Sequence, residues 1–394
     1  MFQRTRHFAP TSRAWDRDDA ATAVGEIAAD AMAALDGDAL WPAHPMGGRM
    51  RDGLGCLHHG AAGVAWTLDY LSRVGAVAEA YDLSPVLAMA LERNAPWHAA
   101  TRYPRHASLL MGEQGIQLVA MRVAPDQGLA DEIYVLAATN TDLPVVELMR
   151  GLPGSMLACV HMGGMTGDAR FKALFQAQAA RMLAELETTD GGPIWTQDLY
   201  GSVQRWLGPV HGFAGNMPPV LRGWDWLAPG QRAVVADAVP RTLASHVVRS
   251  GLGAAWPAVV PSSQTTFLCQ HCQGAPGMVN TFADAPFSTP GFETLLLEGG
   301  ELTWNAGPLA KGSNLCHGTG GNGCALLKLH KRTGNPLWLE RARAFATTAI
   351  DQVRGARAAF GRGRYSLWTG DVGLAVYLWD CITGKPRFPT IDVL

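Results

Sequence analysis

The chain has 394 residues, 48% of them hydrophobic and 17% charged, which is apolar enough for a sizeable core. Thirty-two basic side chains against 34 acidic ones leave a formal net charge of −2, so there is no basic excess for nucleic acid and no polybasic run for an anionic membrane. No stretch approaches the roughly 18 apolar residues of a membrane span, and the expected partner is a small molecule or a peptide.

Met1 to Ala20 carries Arg4, Arg6, Arg13 and Arg17 with no apolar run behind them, which is not the pattern of a secretory signal. Residues 1–50 read as an N-terminal extension with a first outer helix. From Gly60 onward one unit recurs: Gly-x-x-Gly, then apolar residues at helical spacing. The first turn, Gly60 and Gly63, leads into Val64, Trp66, Leu68 and Leu71. The pairs Gly112/Gly115, Gly151/Gly154, Gly212/Gly215, Gly274/Gly277 and Gly318/Gly321 follow. The seventh, Gly370/Gly373, leads into Leu374, Val376, Tyr377 and Trp379.

One such pair is weak evidence, because 45 glycines in 394 positions produce several by chance; seven, each opening an apolar helix, are a different matter. Successive turns lie 39 to 62 residues apart, room for two helices and two connections. A period of that size marks a repeat architecture. Glycine permits unusual backbone angles and close backbone approach, and it leaves the helix N-terminal N–H groups facing whatever lies ahead. If seven inner helices close into a ring, the glycine turns gather at one end, which becomes the natural place for a substrate.

The stretches between turns supply outer helices. Thr166 to Glu187 is one, with Phe171, Leu174, Phe175, Met182, Leu183 and Leu186 at helical spacing; Pro336 to Val353 is another. Glu132 to Ala138 suits a strand or a helix and fits a helix leading into the third turn. Thr188 to Pro193 and Ser250 to Ser263 read as loops. The expected fold is all-α: an α/α toroid, a double-layered helical barrel of seven repeats, forming a single domain over 1–394. The alternative is an open helical solenoid that binds partners on its concave face.

Two segments carry metal-binding residue types. One is Cys269-Gln-His-Cys272, ahead of Gly274; the other is Cys316-His317, ahead of Gly318. In a ring they sit on adjacent repeats at the same end. Two thiolates and one imidazole fill three tetrahedral positions of Zn2+ and leave a fourth open, as catalytic sites do. A substrate thiol in that position would be held deprotonated yet nucleophilic. Three other readings stay open: Cys269 and Cys272 as a redox pair, the same two in a closed structural site, and Cys316 as a buried core thiol. Cys56, Cys159, Cys324 and Cys381 lie on apolar helical stretches and read as core. With no export signal, seven cysteines suit a reducing, cytoplasmic setting.

The seven glycine turns, Cys272 followed by Gly274 and Gly277, and Cys316-His317-Gly318 followed by Gly321-Asn322 resemble the lanthionine synthetase C-like family. The resemblance runs from about Leu57 to the end, including Arg387-Phe388-Pro389. It implies inner and outer helical layers with zinc at the mouth of the ring, held by Cys272, Cys316 and His317. It implies joining of a thiol to dehydroalanine or dehydrobutyrine, giving a thioether. His211 matches the family histidine proposed as acid or base, and Glu147 matches an acidic position. Many members have Trp where this chain has His271, and peptide-cyclising members carry Arg where it has Leu268. Lys311 resembles the stand-alone branch, which binds glutathione and adds it to dehydro residues.

The function expected from these residues is zinc-dependent addition of a thiol, from glutathione or a peptide cysteine, to a dehydroamino acid in a peptide or protein. One alternative is a lanthionine-forming cyclase of a ribosomal peptide pathway. Another is a non-catalytic, zinc-stabilised helical scaffold. A third, a glycan-processing toroid, needs a carboxylate pair at the mouth; Asp198, Asp371 and Glu147 are available, but no spacing singles out two of them.

Overall fold

A computed structural model describes residues 1–47, 52–99, 107–143, 145–199 and 201–394. Among the described residues, fourteen α-helices alternate between two layers. The inner layer is α2 (Ala61–Arg73), α4 (Glu113–Val123), α6 (Leu152–Thr166), α8 (Phe213–Arg222), α10 (Ala275–Phe282), α12 (Thr319–Thr333) and α14 (Asp371–Thr383). Each begins directly after the first glycine of one of the seven turns. The outer layer is α1 (Arg17–Ala33), α3 (Ser84–Ala99), α5 (Gln127–Thr139), α7 (Ala169–Ala184), α9 (Pro229–His246), α11 (Pro290–Ala306) and α13 (Pro336–Phe360). Every inner helix packs against the next, and α14 packs back against α2, so the ring closes. The open solenoid is therefore set aside.

The two layers start differently. Asp16, Asp126, Asp168, Thr289 and Asn335 cap five outer helices with a side-chain oxygen that accepts from backbone N–H groups of the first turn. Inner helices start on a bare glycine with no side-chain cap. Six of these seven glycines have ordinary negative φ; Gly274, at φ 126°, is the exception. Unusual backbone angles are thus not the general reason for glycine here. Close approach is. A Cβ on the second glycine of a turn would run into the carbonyl six residues earlier, and in most turns also into the same position of the preceding repeat. Gly115 meets Leu57, Gly154 meets Leu109, Gly321 meets His271 and Gly373 meets Leu315. Gly63 meets Leu367, which carries the pattern across the closure.

Some boundaries moved. The stretch Thr166 to Glu187 holds only α7, because Thr166 still belongs to α6 and Gly167, in the left-handed region at φ 69°, ends that helix. α13 runs beyond Val353 to Phe360, where Gly361 terminates it. Glu132 to Ala138 is helical, within α5.

The two expected loops contain short strands, and two further strands lie between them. β1 (Glu187–Thr189) pairs with β2 (Gly192–Ile194), and β3 (Gln197–Leu199) with β4 (Ser202–Trp206). β5 (Val248–Ser250) pairs with β6 (Gly253–Ala255), and β7 (Val259–Val260) adds to β4. All four pairings are antiparallel. Strands of two to five residues are too short for an alternating pattern to show, and their glycines and prolines look like loop composition. Among the described residues, no helix is long and apolar enough to cross a membrane.

Candidate functional site

The repeat sets the geometry of the mouth. The residues two before each first glycine are His58, Leu110, Met149, Val210, Cys272, Cys316 and Trp368. Six of these backbones are linked in series. Cys272 N donates to Cys316 O (2.9 Å), Cys316 N to Trp368 O (2.7 Å), Trp368 N to His58 O (3.0 Å), His58 N to Leu110 O (2.9 Å) and Leu110 N to Met149 O (3.3 Å). The two cysteines are therefore one structural position in adjacent repeats, joined by a backbone hydrogen bond. One residue later come His59, Met111, Arg150, His211, Gln273, His317 and Thr369.

The ligand atoms of Cys272, Cys316 and His317 all lie within 4.8 Å of one another. Gln270 Nε2 donates to Cys272 Sγ at 2.9 Å, and Asn314 Oδ1 accepts from His317 N at 3.0 Å. Asn322 Nδ2 donates to Cys269 O, and Asn280 Nδ2 to Gly321 O, both at 2.9 Å, tying the two turns together beneath the cluster. The Cys316 thiol, hydrogen-bonded to Cys272, pulls Cys272 well below the usual thiol range, with His317 and Gln270 helping; Cys316, keeping the shared proton, rises well above it. A soft, electron-rich pair sharing one proton is a donor set that suits zinc. Cys269 stands apart: it is buried, its thiol is against Thr303, and burial pushes it up to about 12. That geometry does not support a redox pair with Cys272. Cys56, Cys159, Cys324 and Cys381 are buried as expected, although Cys56 lies in the turn ahead of α2 and not on a helix.

His211 and Glu147 come together from adjacent repeats, with His211 Nδ1 to Glu147 Oε1 at 2.7 Å. Glu147 is buried, and its other oxygen accepts from Arg150 N at 2.9 Å. With Nδ1 committed to the carboxylate, Nε2 is the ring nitrogen suited to proton exchange. Gln197 of β3 donates to His211 O (3.1 Å) and to Val146 O, so the unforeseen strands brace this turn. Lys311 is exposed, and its charge reaches Cys316, as does that of Arg364.

Further residues belong to the same mouth. Burial above all, with the positive charge of Arg150 adding to it, holds His58 well below the ordinary histidine range. Burial with Arg150 and Arg364 lowers His59 to about 4. Both histidines are thus neutral near pH 7. His58 also stacks on Trp368, with centroids 5.3 Å apart. The signal that could have found His59 and Arg150 was in the sequence: they hold the same repeat position as His211 and His317.

Comparison with known proteins gives a consistent picture. The profile described as Lanthionine synthetase C-like protein matches residues 55–393. Glutathione S-transferase LANCL1 of Danio rerio is 29% identical over 204 residues, 50% of this chain and 47% of that protein. LanC-like protein GCL1 of Arabidopsis thaliana is 40% identical over 134 residues, 32% of this chain and 30% of that protein. The chain thus spans less than half the length of these relatives in its matched stretches. Nisin cyclase superposes with a TM-score of 0.58 over 91% of this chain and 92% of its own, at 14% identity, a likeness of fold.

Proposed function

Because the chain belongs to the lanthionine synthetase C-like family, we propose that it adds a thiol to a dehydroamino acid, forming a thioether at a zinc site built from Cys272, Cys316 and His317. The convergence of those three ligand atoms within 4.8 Å carries the reading. Zinc bound there would supply Lewis acidity, keeping a substrate thiol ionised near neutral pH.

The chain's own residues do the rest. The substrate sulfur forms a bond to the β-carbon of dehydroalanine or dehydrobutyrine, and the π electrons of the double bond move to the α-carbon. His211 Nε2 delivers the proton that the α-carbon needs. Glu147 holds Nδ1 and fixes the ring. Lys311 stands on the exposed side, where it can meet a carboxylate of a peptide thiol such as glutathione. A reduced thiol substrate fits a reducing compartment, and the cytoplasm is the proposed location.

The test is zinc content together with adduct mass. Purified protein, incubated with glutathione and a dehydroalanine peptide, is expected to hold one zinc per chain and give the thioether adduct. Cys316→Ala is expected to lose the metal. His211→Asn should keep it and lose about 10²–10⁴-fold in rate. Zinc without an adduct would favour a cyclase that closes rings within its own peptide. Absence of zinc would sink the proposal.

A further inference from the structure

Ten residues at the start of the described chain are stitched to the two segments that lead into the cysteine-bearing turns. Phe267 N donates to Met1 O at 2.8 Å, and Phe2 bridges Phe267 in parallel. Phe8 N donates to Pro308 O (2.8 Å) and Ala310 N to Arg6 O (2.9 Å), while His7 bridges Leu309 in antiparallel fashion. Phe267 lies shortly before Cys272, and Leu309 and Ala310 shortly before Cys316. Gly307, at φ 83°, makes room for this segment: a Cβ there would collide with Phe8 O. The strap therefore links the two chain segments that deliver the cysteines.

It also delivers one side chain. Arg6 Nη2 donates to Gln270 Oε1 at 3.2 Å, and Gln270 Nε2 donates to Cys272 Sγ at 2.9 Å. A glutamine amide can present either end to a neighbour, its oxygen or its NH₂. Arginine has only donors, so it can bind only the oxygen end. With Oε1 taken by Arg6, the NH₂ end is turned toward the sulfur. Without Arg6 the amide could turn over and set its oxygen against a thiolate, where the contact is repulsive.

We propose that 1–10 act as a positioning strap for the metal centre, with Arg6 holding Gln270 in the one orientation that donates a hydrogen bond to Cys272. This rests on reading Cys272, Cys316 and His317 as metal ligands. Neither Arg6 nor Gln270 is a ligand; both act through Cys272. Hydrogen bonds of this kind orient a ligand, and their loss typically costs about 10–100-fold in metal affinity.

The test uses the full chain loaded with Co2+, whose thiolate-to-metal charge-transfer absorption reports the sulfur directly. Affinity comes from competition with a chromophoric chelator, and circular dichroism checks that the fold is kept. Arg6→Leu and Gln270→Leu are each expected to lower affinity about 10–100-fold. Each should also move the absorption band to lower energy, because a sulfur without its hydrogen bond gives up an electron more readily. Arg6→Lys, which still donates, should stay near the wild type. The double variant should fall no further than Gln270→Leu alone, since one residue acts through the other. Should Gln270→Leu fail to fold, the contrast between Arg6→Leu and Arg6→Lys decides. Wild-type affinity and an unmoved band in Arg6→Leu, or losses that multiply in the double variant, would overturn the strap while leaving the metal site standing. A wild-type chain that takes up no cobalt or zinc would overturn the metal site first, and the strap with it.

Discussion

Single side chains at the mouth owe their chemistry to where the repeat places them. Cys272 and Cys316 stand two residues before a first glycine, and His211 and His317 one before. A shift by one residue in either turn would break the cluster. His161, on inner helix α6, shows a different use of burial. Its Nε2 lies 3.2 Å from Thr390 O, and burial lowers it from 6.5 to about 4, outweighing that hydrogen bond. The unfolded chain therefore takes up this proton before the folded one. Stability is complete above about pH 6.5 and declines as pH falls toward 4, by at most about 1.4 kcal/mol per pH unit for one proton. His161→Gln keeps a donor for Thr390 and does not titrate. It is expected to flatten the acid side of the stability curve, measured by urea unfolding at pH 7 and pH 5. An unchanged slope would show that His161 does not carry this dependence.

Among the elements, the helices follow from local pattern and the strands do not. Apolar residues at helical spacing after each turn were enough to place all seven inner helices, since that periodicity is a property of consecutive residues. The glycines matter because of what lies beside them. Gly115→Ala would force a methyl group against Leu109 O, with Leu57 Cβ only 3.0 Å away. It is expected to destabilise by about 2–3 kcal/mol. Gly355, in outer helix α13, has nothing within 4 Å of where a Cβ would sit. Gly355→Ala should instead stabilise by up to about 1 kcal/mol, through better helix propensity. Thermal unfolding of the two variants side by side tests the contrast. Equal shifts would mean that the second glycine of a turn is not there for close packing.

Across the whole molecule, the C-terminal segment ties together residues of separate repeats. Phe388 stacks on His271 with centroids 4.2 Å apart, and Trp368 Nε1 donates to Thr390 Oγ1 at 3.3 Å. Asp392 pairs with Lys328 at 2.6 Å. Lys328 is only 2% exposed and has Asp284 at 3.0 Å and Asn280 O at 2.8 Å as further partners. Burial alone would drive Lys328 toward neutrality, but the two carboxylates more than compensate and raise it. Asp392→Ala leaves that ammonium with one carboxylate in a dry setting, and a loss of roughly 3 kcal/mol is expected. A denaturation midpoint unchanged from the wild type would show that this segment does not hold the ring together.

By itself the sequence determined the all-α class, the seven-unit period, the inner helices and the Cys-His pair ahead of Gly318. Each of these is written in residues close along the chain, as glycine spacing and helical periodicity. The tertiary structure alone decided that the ring closes from α14 to α2, and that the short strands brace the His211 turn. It also decided that Glu147 reaches His211 across 64 residues and that Arg6 reaches Gln270 across 264. Those pairings depend on how seven similar units stack and meet end to end. No local pattern records that, because each unit's helices form by the same short-range rules whichever neighbour they finally meet.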